Sequence, residues 1–343
     1  MNKKLLLVLV LVMAMLAMVA CGGAETPPPA EEPEVTAVKT GYAIMTSAGK
    51  SAAAGDTDGL AQADSVVVAV TVDADGKITN IAIDSAQTKI NFSKEGKIVT
   101  PLDTVFVAKQ EMGTDYGMNK ASSLGKEWNE QANAFADYVI GKTVEEVKGI
   151  ALTDDGVATD ADLLASVTIK LPGYIAAIEK AVANAQDLGA SADDMIGIGI
   201  VTTIDKSKDA TAEAEGVAQA YSNYSIVTFD ADGVITSCII DGSQTNVKFD
   251  TMGVITTDLA GPFKSKNELG ADYGMAKASG IGKEWNEQAA AFAQYVVGKT
   301  VADVTGIALT DEGVAADADL AASVTVHIGP FMENVERAYT FAR

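Results

Sequence analysis

The stretch "GTDYGMNKASSLGKEWNEQANAFADYVIGKT" occupies Gly113–Thr143, and "GADYGMAKASGIGKEWNEQAAAFAQYVVGKT" occupies Gly270–Thr300. The offset is 157 residues, and from Gly113 to Thr168 the two copies agree at 43 of 56 positions without a gap. The match extends back to "GLAQA" at Gly59 against "GVAQA" at Gly216, and its far end pairs Gln186 with Arg343. A chain of 343 residues is therefore read as one domain written twice: repeat 1 over 41–186, a linker over 187–197 and repeat 2 over 198–343. Each copy has an ordinary domain size, and the period is far too long for a solenoid.

Within each copy the periodicity is mixed. Val66–Val72 and Ile78–Ile83 are β-branched runs separated by "DADG", which predicts a hairpin. Trp128, Ala132, Phe135 and Val139 follow steps of four, three and four, which places them on one face of a helix. Thr143 with Glu146 reads as a capping box opening a second, short helix; Thr300 with Asp303 keeps part of that logic. "SVTIK" at Ser166 alternates like a strand, and Pro172 suits the first turn of a last helix. The expected class is α+β, each copy a small antiparallel sheet with an amphipathic central helix and a C-terminal helix.

The chain begins with Lys3 and Lys4, then an apolar run from Leu5 to Ala20. That run suits a signal-peptide core and is short for a spanning helix of roughly 20 residues. It ends in "MVAC", which resembles a bacterial lipobox, so residues 1–20 are read as a signal peptide and Cys21 as the lipidated N-terminus. A Pro-rich, acidic stretch follows, and 21–40 is read as the lipidated cysteine and its spacer. The expected location is the cell membrane, lipid-anchored on its extracytoplasmic face.

Cleavage leaves 23 basic and 47 acidic residues, a formal charge of −24. No basic patch is offered to nucleic acid, and a loosely held anion meets a repulsive average field. Cys238 has no partner for a disulfide once Cys21 is lipidated, and its apolar surroundings predict a core position. His327 is the only histidine and stands where repeat 1 has Lys170, which argues against a histidine-dependent hydrolase built into the repeat. "TDDG" at Thr153 and "TDEG" at Thr310 lack EF-hand spacing and read as turns.

The remaining repeated signal is "DADLLASVT" over Asp160–Thr168, answered by "DADLAASVT" over Asp317–Thr325. With the "VTVDADGKITNIAI" hairpin upstream, it resembles the FMN-binding domains of exported bacterial redox proteins. In that family an Asp, four residues, an Ala and a Thr or Ser precede a helix, and a flavin transferase esterifies the hydroxyl with the phosphate of FMN. By position the resemblance makes Asp160 and Asp317 the leading acids, Ala165 and Ala322 the small residues, and Ser166 and Ser323 the attachment sites, with Thr168 and Thr325 alongside. Adjoining backbone N–H groups near a helix start are expected to help carry the phosphate.

A second candidate set is "DYGMNKAS" and "DYGMAKAS": Tyr116, Met118, Lys120 and Ser122, with Tyr273, Met275, Lys277 and Ser279. Tyr and Met suit either an isoalloxazine face or the core. The resemblance implies an electron carrier more than an enzyme. It would bear covalent FMN on each repeat and pass electrons from a membrane quinone-linked donor to small-molecule or protein acceptors. The competing reading is a non-redox surface lipoprotein that binds a solute or a cell-envelope or host partner.

Overall fold

The computed structural model describes residues 36–343; the signal peptide, Cys21 and most of the expected spacer lie outside them. Repeat 1 opens with β1 (Lys39–Ser47), β2 (Gly59–Val72) and β3 (Ile78–Phe92), and repeat 2 with β5 (Met195–Thr203), β6 (Gly216–Phe229) and β7 (Ile235–Phe249). Each triplet is antiparallel in chain order, so the fold is α+β with two meanders. β1 starts inside the stretch read as spacer, and β5 inside the stretch read as linker. The β2–β3 turn is the "DADG" hairpin: Asp73 Oδ1 accepts from the backbone N–H of Asp75 and Lys77, and Gly76 takes φ 77°, open to glycine at no steric cost.

The helices follow in the same order in both halves. α1 (Lys109–Met112), α2 (Trp128–Val139), α3 (Val144–Lys148), α4 (Ala161–Leu164) and α5 (Pro172–Ala183) belong to repeat 1. α6 (Lys266–Leu269), α7 (Trp285–Val296), α8 (Val301–Thr305), α9 (Ala318–Ala321) and α10 (Gly329–Thr340) are their counterparts. α2 buries Trp128, Ala132, Phe135 and Val139, the face its spacing predicts, and Pro172 sits in the first turn of α5. The Thr143–Glu146 capping box forms, and Thr300–Asp303 forms a complete one too, because the shorter aspartate still reaches the Thr300 N–H at 3.0 Å. "SVTIK" is not a strand. Val167 and Leu171 are buried there, and the Thr168 N–H is taken by the Gln131 side chain, leaving no ladder to form.

Four layers result. Val68, Val70, Ile81 and Ile83 face the helices of their own repeat, while Val67, Ala69, Ala82 and Ala86 pack on Ile196, Ile198, Ile200 and Ile226 of the other sheet. Each sheet is therefore covered on both faces, by helices outside and by its twin inside. The outer contact is close: a Cβ on Gly199 would lie 1.8 Å from the Asn334 carbonyl oxygen of α10, and one on Gly197 1.9 Å from that of Ala338.

The halves also exchange edges. β4 (Val105–Val107) belongs to repeat 1 yet pairs with β5, and Phe263 in the matching segment of repeat 2 bridges Thr46 of β1. Ala54 N–H donates to the Gly253 carbonyl at 2.9 Å, and Ala210 N–H to the Gly96 carbonyl at 2.7 Å. Phe92 and Phe249, equivalent residues, stack with ring centroids 4.2 Å apart and planes 7° from parallel. Among the described residues no helix is long and apolar enough to cross a membrane.

Candidate functional site

The two repeated motifs meet on one side chain. Gln131, fully buried on α2, donates through Nε2 to Ser122 Oγ at 3.0 Å and accepts through Oε1 from Thr168 N at 2.8 Å and Thr168 Oγ1 at 3.1 Å. Gln288 on α7 joins Ser279 to Thr325 in the same way, at 3.1, 2.8 and 3.1 Å. A buried carboxamide satisfies both a donor and an acceptor here, at the cost of tying two loops to one helix. The sequence gives this away only as a polar residue at a core position of an amphipathic helix. It was not among the expected site residues.

Asp160 and Asp317 are helix N-caps: each Oδ1 accepts from the backbone N–H three residues on, Leu163 or Leu320, at 2.9 Å. Ala165 and Ala322 close the one-turn helices and are exposed. Ser166 and Ser323 follow, half-buried, on the turn. The backbone amides around them are already used: Ser166 and Val167 donate to the Leu163 carbonyl, at 3.0 and 2.8 Å, and Thr168 to Gln131. The expected N–H cradle for a phosphate is thus absent from this conformation, because the serine follows the carbonyl end of a short helix rather than preceding an amide end.

The "DYGM" segments form 3₁₀ turns with Gly117 and Gly274 in the left-handed region. Glu127 Oε2 accepts from the Met118 N–H at 2.8 Å, and Glu284 Oε2 from the Met275 N–H at 2.7 Å. Tyr116, Met118, Tyr273 and Met275 are partly buried against the helix-side cores, and Lys120 and Lys277 are exposed. The lysines that meet the aromatic residues are others. Lys109 Nζ lies 4.4 Å from the Tyr116 ring centroid. Lys266 Nζ lies 4.4, 4.8 and 4.5 Å from the centroids of Tyr221, Tyr273 and Trp285, and donates to Tyr221 Oη at 2.7 Å. Ring faces attract an ammonium group, yet burial pulls Lys266 down to about 7 and pushes Tyr221 up to about 12.

Cys238 is buried in the helix-side core, as expected, and burial raises its thiol well above the ordinary range. "TDDG" and "TDEG" are tight turns closed by the Leu152–Ala158 and Leu309–Ala315 bridges. Among the described residues no group of three acidic, histidine or cysteine side chains converges as a metal site would require. The chain matches no protein-family model, no curated protein and no solved structure.

Proposed function

We propose that the chain is a membrane-anchored, extracytoplasmic electron carrier that bears FMN esterified to Ser166 and Ser323. The observation that carries this reading is the repeated Asp-x₄-Ala-Ser motif, which lies in both halves on a surface turn beside exposed Ala165 or Ala322. A transferase can reach such a turn; the serine oxygen would lose its proton and attack the flavin-bearing phosphorus of a flavin dinucleotide donor, the new P–O bond forming as the diphosphate P–O bond breaks and the nucleoside monophosphate leaves with the proton. With no free amide cradle, the covalent bond itself would hold the phosphate against the acidic average charge of the chain. The flavin would supply the redox chemistry and the protein its position near donor and acceptor.

The test is co-expression with a flavin transferase, read by visible absorption and intact mass. The expected product is yellow and heavier by two flavin adducts, with Ser166→Ala and Ser323→Ala each removing one. Colourless protein of unmodified mass overturns the reading.

A further inference from the structure

The two halves differ at one pair of equivalent recesses. In repeat 1, Ala82, Ile83, Asp84, Gln110 and Asn133, with Ile198, Phe341 and Arg343 from repeat 2, enclose a recess of only about 10 Å³. Their counterparts are Ile239, Ile240, Asp241, Asn267 and Ala290, with Tyr42, Asn184 and Gln186 from repeat 1. All of these except Asp241 line an open cleft of about 560 Å³. That volume is within the range of small-molecule sites. The cause is local. Arg343 Nη1 reaches Asn133 Oδ1 at 3.2 Å and its Nη2 pairs with Asp137, so a side chain of repeat 2 plugs the recess on repeat 1. Gln186 makes the same backbone bridge, to Thr40, but its side chain is shorter, Asn184 replaces Phe341, and Ala290 replaces Asn133.

The wall of the open cleft carries a specific polar feature. Buried Asp241 accepts from Tyr42 Oη at 2.9 Å and from the Asn267 N–H at 3.0 Å. Asn267 Nδ2 donates to Tyr42 Oη and to the Ile240 carbonyl, both at 2.9 Å. Every other polar group of this network has a partner, but Asn267 Oδ1 is buried with none. Asn267 thus lines the cleft with a side chain whose donors are spent on Tyr42 and Ile240 and whose Oδ1 is shielded. Asn286 Oδ1 and its equivalent Asn129 Oδ1 are unpartnered in both halves, so of these groups only Asn267 differs between the halves.

We infer that this cleft binds an uncharged, hydroxyl-rich ligand of mono- to disaccharide size. Among the described residues that line it, Glu268 alone is charged, and it is already paired with Lys180 at 2.5 Å, so no cationic side chain of the lining faces an anion. Carboxamides from Asn184, Gln186 and Gln294 offer both donors and acceptors, which suits hydroxyl groups, while Leu188, Ile239 and Val297 suit the C–H faces of a sugar ring. The site is independent of flavin attachment.

Saturation-transfer NMR and calorimetry on the full chain test this with glucose, N-acetylglucosamine, cellobiose and chitobiose, and with glucose 6-phosphate as the charged control. Binding of at least one neutral sugar is expected, at least tenfold tighter than the phosphate. The triple variant Asn184→Phe, Gln186→Arg, Ala290→Asn copies the plugged half and is expected to abolish it with an unchanged thermal melt. Ala290→Trp, at an exposed position, is a second block should the triple variant misfold. Absence of binding by all four sugars, equal binding of the phosphate, or binding that survives a folded blocked variant overturns the inference.

Discussion

Lys266 and Asp84 are both almost fully buried, at 2% and 3% exposure, and burial moves them in opposite senses. Asp84 rises from 3.8 to about 7, despite accepting from the Ser85 and Gln110 N–H groups. It binds its proton more tightly when folded, so its contribution to stability is full below 3.8 and is lost as pH rises to about 7. Lys266 falls from 10.5 to about 7. The unfolded chain then holds the extra proton, so stability rises with pH from about 7 to 10.5. Asp84→Asn keeps an acceptor for both amides and is expected to gain about 2–4 kcal/mol over the native chain at pH 8, with little gain near pH 4. Lys266→Met is expected to remove the rise above pH 7. Urea denaturation between pH 4 and 10 reads both, and variant curves parallel to the native one would refute the assignment. Neither residue announces itself in the sequence, because a lysine or aspartate is surrounded only when distant strands and helices close over it.

At the scale of elements, the central helix was legible. Its apolar steps put Trp128, Ala132, Phe135 and Val139 inside, and the same spacing recurs in α7. The two capping boxes and the "DADG" turns were legible for the same reason: each is decided by side chains within four residues of the groups they satisfy. "SVTIK" misled because an alternating pattern states which residues go inward, not whether a partner strand exists. Gln131 takes the amide that a strand would have paired. Gln131→Leu keeps the volume and leaves the Thr168 N–H unpaired, so a loss of about 1–3 kcal/mol is expected. Hydrogen exchange should quicken in the 118–126 and 165–170 loops while β2 and β3 stay protected. Unchanged exchange at Thr168 would show that the loops are held by other contacts.

At the scale of the molecule, the halves share two apolar layers and swap edge segments, so neither sheet is complete alone. A single cooperative thermal transition is expected by calorimetry, and two resolved transitions would contradict the shared core. Phe92 and Phe249 are the cleanest probe of the seam. Phe92→Leu and Phe249→Leu should be non-additive, with a coupling of about 0.5–1.5 kcal/mol in a denaturant cycle, whereas additive costs would mean that the stack contributes nothing beyond burial.

Duplication, α+β class, hairpin turns, central helices and the capping boxes of the short helices after them were all written in the order of residues. These depend on contacts between neighbours in the chain, which a repeat displays twice. "VVVAVTV" over Val66–Val72 did carry a sign of burial on both faces, since it lacks polar residues on either side of the strand, apart from Thr71. What covers the second face was decided only by the tertiary structure, as were the exchanged edges, the buried charges and the open cleft. Those features depend on groups separated in the chain by 26 residues, as for Asp84 and Gln110, up to 210, as for Arg343 and Asn133, and no local pattern encodes which side chain arrives.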